Sequence, residues 1–427
     1  MQNRVQKKKK ISLTTMIFIA LLAGALAGVI INYLIPSNYV VDDIIVQGVF
    51  YIVGQGFIRL MRMLVVPLVF CSIVCGSMAV GDTKKLGSVG VKTLIFYLCT
   101  TALAITVALT IANIFNPGKG LDMSQIQVTS TVSETTQSMS MTETLLDIIP
   151  VNIFNSLSEG NMLQIIVFAL ILGVILANMG DRVDIVKNFF GQFNDIMMEM
   201  TMAVMKLAPI GVFCLIAKTF AEIGFEVFLP LLKYMFCVLL ALAVQCFVVY
   251  LGLLKIFSGL NPFIFIKNFF PVMAFAFSTS TSNATIPMNI DTLAEKMGVS
   301  KKISSFTIPL GATINMDGTS IMQGVAVVFT AQAFGIPLDM MDYLTVIGTA
   351  TLASIGTAGV PSVGLITLTM VFNSVGLPIE GIALIMGIDR ILDMTRTAVN
   401  ITGDAVCTTI VASWNKAVDR DVYYRRK

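Results

Sequence analysis

A polar run near the C-terminus, DRILDMTRTAVNITGD from Asp389 to Asp404, interrupts an otherwise apolar stretch of the chain. In a helix at 100° per residue, six of its polar side chains fall within an arc of roughly 100° on one face. They are Asp389, Asp393, Arg396, Thr397, Asn400 and Asp404. Charges at the centre of a membrane cost roughly 2.5 to 3.5 kcal/mol each, so they persist only when paired with one another or with a polar ligand. The run therefore predicts a buried binding site.

A second polar interruption, GATINMDGT from Gly311 to Thr319, lies in the preceding long apolar segment. The side chains of Asn315 and Asp317, with carbonyls freed around the two glycines, supply hard oxygen ligands without a basic residue nearby. Alkali cations prefer carboxylate and carbonyl oxygens, which unwound membrane helices provide. The pattern predicts a cation site, and a hydrogen-bonded polar kink is the alternative.

The charges of these segments do not balance. Four aspartates, at positions 317, 389, 393 and 404, and two arginines, at positions 390 and 396, sum to 2 − 4 = −2. An acidic ligand would make the buried charge more negative still, and burial without counter-ions is prohibitive. Cations that travel with the ligand would solve this problem.

The composition is that of an integral membrane protein with many spans. Of 427 residues, 56% are hydrophobic and only 12% are charged, against about 25% charged residues in soluble domains. The absence of histidine removes histidine general bases and the commonest metal ligand, and the seven cysteines show no zinc-type spacing. The net charge of +3 comes largely from the termini, which suits a cytoplasmic membrane surface and excludes a nucleic-acid partner.

Six apolar segments of the first half are predicted to span the membrane, near residues 11–35, 44–80, 88–115, 150–178, 193–220 and 226–257. Basic residues cluster at both termini and in alternate loops. By the positive-inside rule, both termini are expected in the cytoplasm and the number of crossings is even. The loop at 116–149, rich in Ser, Thr and Met, is expected outside.

Two interrupted segments of the second half have opposite flanks. The first runs from Asn261 through STSTSN and has basic flanks, whereas the second runs from Tyr343 through SIGTAGVP and has acidic or neutral flanks. Arms of roughly 10 to 14 apolar residues are too short to span, which predicts two re-entrant hairpins that enter from opposite faces. Such pairs point to the binding site of a secondary transporter. The alternative is that these residues kink ordinary spanning helices.

Three motifs, NMDGT from Asn315, SIGTAGVP from Ser354 and the run from Asp389, resemble signatures of the glutamate and aspartate transporters. This dicarboxylate/amino acid:cation symporter family includes the archaeal aspartate transporter and the excitatory amino-acid transporters, and the resemblance covers essentially the whole chain. It implies an all-α polytopic membrane protein with eight transmembrane helices and two re-entrant hairpins in inverted repeats. It also implies a homotrimer that works as an elevator.

The resemblance divides the chain into scaffold and transport domains. Scaffold helices 1 and 2 would occupy residues 1–87, and transport-domain helix 3 residues 88–116. An external loop and scaffold helices 4 and 5 would occupy 117–224. The rest of the transport domain, with helix 6, both hairpins and helices 7 and 8, would occupy 225–427.

The resemblance also implies residue roles. Asp393 matches the carboxylate that holds the substrate ammonium, and Arg396 matches the guanidinium that grips the substrate side-chain carboxylate with two parallel hydrogen bonds. The other substrate contacts would be Ser280, Ser282, Thr319, Gly359, Thr397 and Asn400.

Sodium is the implied coupling ion, with about three ions per substrate and no organic cofactor. The first implied set is Gly311, Asn315, Asn400 and Asp404. The second set is Thr313, Ser354, Ile355 and Thr357. The third set is Tyr97, Thr100, Thr101, Asn315 and Asp317, whose three helix-3 hydroxyls would otherwise be interpreted as packing groups.

Three positions depart from the family pattern. Gln323 replaces the glutamate of potassium-countertransporting relatives, which argues against proton or potassium coupling through that position. The STSTSN segment lacks the arginine of the archaeal proteins, and Met394 replaces an arginine of the animal relatives. These departures bear on affinity and rate more than on substrate class.

The sequence therefore predicts a sodium-coupled symporter of L-aspartate, L-glutamate or both in the lipid of a prokaryotic cytoplasmic membrane. Symporters of the same fold for cystine, a neutral amino acid or a C4-dicarboxylate, with possible proton coupling, are the alternatives. An ion channel is a further alternative, although paired hairpin gates favour a closed site over a continuous pore. An enzyme is not expected, because no activated nucleophile with a base is evident.

Overall fold

The structure, a computed structural model, describes residues 13–81, 88–121, 149–224, 228–355 and 363–425. Within these ranges it is almost entirely helical, with one isolated β-bridge between Val299 and Val418. The predicted all-helical fold is confirmed. Two predicted site residues, Thr357 and Gly359, lie outside the described ranges.

The helices of the first half are mostly long and apolar. They are α1 (Leu13–Leu34), a π-helical segment (Val40–Phe50) that continues into α2 (Tyr51–Gly81), α3 (Ser88–Phe115), α4 (Ile153–Glu159), α5 (Met162–Met179), α6 (Asp184–Met205) and α7 (Ala208–Ile223).

The helices of the second half are shorter and are interrupted more often. They are α8 (Phe228–Ala243), which continues through a π-helical segment (Val244–Tyr250) into α9 (Leu251–Ser258), then α10 (Pro262–Thr279), α11 (Ser282–Met297), α12 (Lys301–Ile314), α13 (Asp317–Ala333), α14 (Met340–Ser354), α15 (Val363–Ser374), α16 (Gly381–Trp414) and α17 (Arg420–Tyr424).

Six helical stretches of the described chain are long and apolar enough to cross a membrane. They are Thr15–Leu34, Val40–Leu60, Val89–Phe115, Gln164–Met205, Phe228–Ser258 and Pro262–Thr279. The last of these is α10, which the sequence assigned to a re-entrant arm. Its 18 residues extend about 27 Å, so its length suits a span as well as an arm. The count of eight spans stays a prediction.

Two predicted helices are wrong in their bounds. The segment at 150–178 is divided at Gly160 and Asn161, between α4 and α5. The segment at 193–220 was expected to be continuous, but α6 ends at Met205 and α7 begins at Ala208. Pro209 lies in the first turn of α7, where its missing N–H is harmless. In a continuous helix its ring would clash with the carbonyl of Met205, four residues earlier. The helix therefore restarts there.

The helices pack in two groups. In the first, α1 packs on α7, and α2 packs on α5, α6 and α7, while the second contains α3 and α8 to α16. Small residues allow the closest approach in the first group, since a Cβ on Gly28 would lie 2.6 Å from the Cβ of Phe220. The groups meet where α2 contacts α15 and α7 contacts α16.

Both interrupted segments form pairs of packed helices. The first pair, α10 and α11, reverses at Ser280, which has a left-handed φ of 52°, and Thr281, which is extended. The second pair, α14 and α15, begins with a capping box formed by Asp339 and Asp342 and is joined through residues outside the described ranges. Both pairs contact α16 or α13 at the centre of the second group.

A C-terminal clasp, residues 417–423, holds the base of the first helix pair. The amide of Asp419 donates to the carbonyl of Gly298 at 2.8 Å, and the amide of Ser300 donates to the carbonyl of Ala417 at 3.0 Å. The buried Tyr423 donates its hydroxyl to the carbonyl of Asn261 at 2.8 Å. The clasp thus ties both ends of the first pair to the end of α16.

Candidate functional site

The carboxylate of Asp317 lies at the break between α12 and α13, as the sequence predicted. Asn315 and Met316 leave the helical conformation, and α13 begins at Asp317, which is fully buried. Three side chains donate to its carboxylate: Thr101 at 2.5 Å, the Tyr250 hydroxyl at 2.7 Å and the Gln245 amide at 3.1 Å. The carboxylate is therefore held by α3 and by the π-helical segment after α8.

Gln245 and Tyr250 were not predicted as site residues. Five residues apart in an α-helix, they would point about 140° apart. The π-helical segment at Val244–Tyr250 widens the turn, so both side chains reach the same carboxylate. Gln245 also donates to the carbonyl of Thr100 at 3.4 Å. A glutamine inside an apolar span was the one sequence signal that could have identified this contact.

Replacing Tyr250 by phenylalanine is expected to destabilise the protein. It removes a donor to the buried carboxylate of Asp317, and a hydrogen bond to a charged group contributes about 1.5 to 3 kcal/mol. Thermal unfolding in detergent should show a lower midpoint. Tyr234→Phe is the matched control, because the buried Tyr234 hydroxyl has no hydrogen-bond partner in the described chain. Equal midpoints for both variants would contradict the assignment.

The first predicted cation set is brought together around Asn315. Its amide donates to Asp404 at 2.9 Å and to the carbonyl of Asn400 at 3.1 Å. Its side-chain oxygen is buried and has no hydrogen-bond partner within the described residues. Gly311 borders the cluster so closely that a Cβ there would lie 2.5 Å from the Tyr97 hydroxyl. An orphaned buried oxygen beside a carboxylate suits a cation.

The second predicted set is only partly assembled in the described chain. Ser354 ends α14, accepts from the amide of Met316 at 3.1 Å and donates to the carbonyl of Ile314. The hydroxyl of Thr313 bonds within its own helix. Ile355 follows Ser354 as a buried residue with extended backbone. The end of α14 thus contacts the broken helix, as a site between them requires.

The guanidinium of Arg396 is buried between two carboxylates of its own helix. It donates to Asp389 at 2.8 Å and to Asp393 at 2.9 Å, and the arginine side chain is only 1% exposed. The sequence placed all three residues on one face and assigned the arginine to a ligand carboxylate. The sequence allowed these charges to pair with one another or with a ligand. In the structure Arg396 pairs with the two aspartates of its own helix.

The remaining polar residues of α16 lie around this cluster. Thr397 donates to the carbonyl of Asp393 at 2.8 Å, and Asn400 accepts from the amide of Gly318 at 2.7 Å. The buried Thr319 follows Gly318 in the first turn of α13. Asn400 therefore belongs to both the predicted substrate contacts and the Asn315 cluster.

The serines predicted to contact the substrate lie at the tip of the first helix pair. Ser280 occupies the left-handed turn and Ser282 begins α11, and both are buried. Their helices, α10 and α11, both pack against α16. Gly359, the corresponding residue of the second pair, lies outside the described ranges.

The buried charges of the site are strongly unequal. Among the side chains that the structure describes, four fully or nearly buried carboxylates, those of Asp317, Asp389, Asp393 and Asp404, face one buried guanidinium, that of Arg396. The side chain of Arg390 is outside this description. If all are ionised, the five described side chains sum to 1 − 4 = −3. Burial of such an excess requires positive counter-charge or protons, because isolated carboxylates in a low-dielectric interior are very costly.

The chain matches the model of the sodium:dicarboxylate symporter family over residues 13–414. It is 39% identical over 411 residues to the proton/sodium-glutamate symport protein of Bacillus caldotenax, which covers 95% of each chain. It is 36% identical over 422 residues to the proton/glutamate-aspartate symporter of Escherichia coli, which covers 97% of this chain and 95% of that one. C4-dicarboxylate transport protein 1 of Ralstonia nicotianae is 33% identical over 372 residues, 86% of each chain.

Proposed function

The chain belongs to the sodium:dicarboxylate symporter family, and we propose that it couples sodium influx to uptake of L-aspartate, L-glutamate or both. The family consists of secondary transporters, so the chain is a transporter and not an enzyme. Its six apolar helical stretches make it a multi-pass protein of the plasma membrane. Relatives named for glutamate and for glutamate-aspartate symport support the substrate class.

The excess of buried carboxylates carries the proposal. Sodium ions or protons can both neutralise Asp317 and Asp404. Sodium is favoured because neutral oxygens surround these groups, in particular the unpartnered side-chain oxygen of Asn315 and the hydroxyls of Thr101 and Tyr97. A proton needs one acceptor, whereas a hard cation needs several oxygens at once. The three sodium sets are proposed on this basis, with Thr357 as a member of the second.

The internal pair of Arg396 and Asp393 supports an amino-acid substrate. A substrate carboxylate can take the guanidinium while its ammonium takes the released Asp393 carboxylate, so that each charge exchanges one partner for another. A C4-dicarboxylate has no ammonium group, so the released Asp393 carboxylate would be buried without a substrate cation. A neutral amino acid has no side-chain carboxylate, the group that Arg396 is proposed to bind.

The proposed mechanism is an elevator in a homotrimer. Helices α1, α2, α5, α6 and α7 would form the scaffold, and α3 with α8 to α16 would form the moving transport domain. The packing of the helices in two groups supports this division, which follows residues 1–87, 88–116, 117–224 and 225–427. The pairs α10–α11 and α14–α15 would be re-entrant hairpins among eight spans, with both termini in the cytoplasm.

Uptake into proteoliposomes tests the function directly. With sodium, proton and potassium gradients imposed one at a time, labelled aspartate is expected to accumulate above equilibrium only under an inward sodium gradient. Succinate, serine and cystine should compete weakly, and unlabelled glutamate should compete strongly. Accumulation driven by the proton gradient alone, with sodium absent, would refute sodium coupling.

Symport of a C4-dicarboxylate is the second candidate. Its support is the similarity to C4-dicarboxylate transport proteins over 86% of the chain. In that case succinate would both compete with aspartate and accumulate under the same gradient. The same uptake assay with labelled succinate therefore separates the two candidates.

A further inference from the structure

A cavity of about 350 Å³ lies between α3, α9 and the end of α16, and Thr100, a member of the third predicted cation set, is among its lining residues. Its lining is mostly carbon and includes Cys99, Leu103, Phe257 and Trp414. Cys99, Leu103 and both aromatic residues remain exposed, so the cavity opens at the side of the bundle. The helical stretches that line it, Val89–Phe115 and Phe228–Ser258, are among those long and apolar enough to cross a membrane. The volume falls in the range of ligand pockets, about 300 to 1,000 Å³.

The length of the cavity fits one lipid leaflet. Lys92 and Leu103, which line it on α3, are separated by about 16 Å along the helix at 1.5 Å per residue. That distance is close to half of the roughly 30 Å hydrocarbon thickness. An acyl chain that starts at the level of Lys92 would therefore reach the middle of the bilayer near Leu103.

The polar end of the cavity carries a positive charge. Lys92 is the charged residue among the described residues that line it, and it lies in the first turns of α3. Phe257 and Trp414 lie edge to face at 5.7 Å, near the ends of α9 and α16. Tryptophan and lysine are typical of the membrane interface, where a lysine attracts anionic headgroups.

We propose that this cavity binds one acyl chain of an anionic phospholipid, whose headgroup pairs with Lys92. The apolar wall selects a chain, and the lysine selects the charge of the headgroup. The bound chain also packs against Thr100, whose turn of α3 carries Thr101 and hence contacts Asp317.

The chain has a single tryptophan, Trp414, so its fluorescence reports on the cavity in the full-length protein. Protein is reconstituted in phosphatidylcholine vesicles that contain equal mole fractions of either phosphatidylglycerol or phosphatidylcholine with brominated acyl chains. Brominated phosphatidylglycerol is expected to quench Trp414 with an association constant about fivefold higher, as one basic residue near the surface implies. Equal quenching by the two lipids would overturn the proposal.

Three substitutions locate the effect. Lys92→Gln is expected to abolish the preference for phosphatidylglycerol, whereas Lys255→Gln, at an exposed lysine of α9, should preserve it. Loss of the preference in both variants would show that the basic surface as a whole attracts the anionic lipid, and it would overturn the proposed site at Lys92. Cys99→Phe fills the cavity and should reduce quenching by either lipid, which tests the site should Lys92→Gln fail to fold. If a brominated fatty acid outcompetes phosphatidylglycerol, the proposed occupant is wrong. The measurement needs no transport, so its failure leaves the proposed function standing.

Discussion

Arg396→Ala is expected to weaken aspartate binding by a factor of about 100 or more. The guanidinium is buried and is proposed to bind a substrate carboxylate, and truncation of one partner of a buried charge pair across a binding contact costs about 2 to 5 kcal/mol of affinity. About 3 kcal/mol corresponds to slightly more than a hundredfold in affinity. Calorimetric titration with aspartate at saturating sodium measures the loss. An unchanged aspartate affinity would show that the arginine does not contact the substrate.

Folding must be separated from binding, because the same substitution leaves two carboxylates without their cation. The double variant Arg396→Ala with Asp389→Asn removes one charge of each sign, so it should recover much of the thermal stability lost by the single variant. Its aspartate binding should remain weak. Recovery of both stability and binding would mean that the arginine acts only by neutralising Asp389.

Asp404→Asn is expected to affect thermal stability differently in the absence and in the presence of sodium. Without sodium, the variant should unfold at a temperature equal to or higher than the unsubstituted protein, because a buried carboxylate has been removed. With sodium, its gain in stability should be smaller. A ligand at 100 times its dissociation constant stabilises by about 2.7 kcal/mol, so loss of one site removes an effect of this order.

The matched control for this variant is Thr409→Val on the same helix. The Thr409 hydroxyl bonds only to the carbonyl of Ala405 among the contacts described, one turn earlier. Unfolding curves at increasing sodium, with potassium as the balancing ion, should shift normally in the control. The unfolding midpoint of Asp404→Asn could instead shift normally with sodium and respond less to pH than the midpoint of the unsubstituted protein. That result would indicate that Asp404 takes up a proton.

The broken helix at the centre of the site was predictable from sequence. Asn315 and Asp317 are polar residues within an apolar segment, where a continuous buried helix would have no use for them, and glycines flank them. Unwinding releases carbonyls only where other polar groups or a ligand can meet them. The structure confirms this break between Ile314 and Asp317. Ser280 at the tip of the first pair was located by the same reasoning.

The partners of these residues were harder to predict. Arg396 and Asp389 are seven residues apart, which puts them on one helix face, but periodicity does not tell a partner in the helix from one in a ligand. The Gln245 and Tyr250 contacts depend on a π-helical turn, which an α-helical period misplaces. The helix expected at 193–220 was wrong because the apolar pattern continues through Pro209, whereas the backbone starts a new helix there. Thr357 and Gly359 stay predictions.

The C-terminal clasp has a consequence for biogenesis. The ribosome makes α16 and the clasp after the other described helices, yet α16 packs against α3, α8, α10, α12 and α13, and the clasp holds the base of the first helix pair. This half of the chain therefore reaches its final packing only once α16 and the clasp have been made. The side-chain amide of Asn315, whose acceptors are Asp404 and the carbonyl of Asn400, has neither acceptor until α16 has been made. A chain that stops before α16 would therefore lack the packing surface of the second helix group and is expected to fold incompletely, instead of working as a slower transporter.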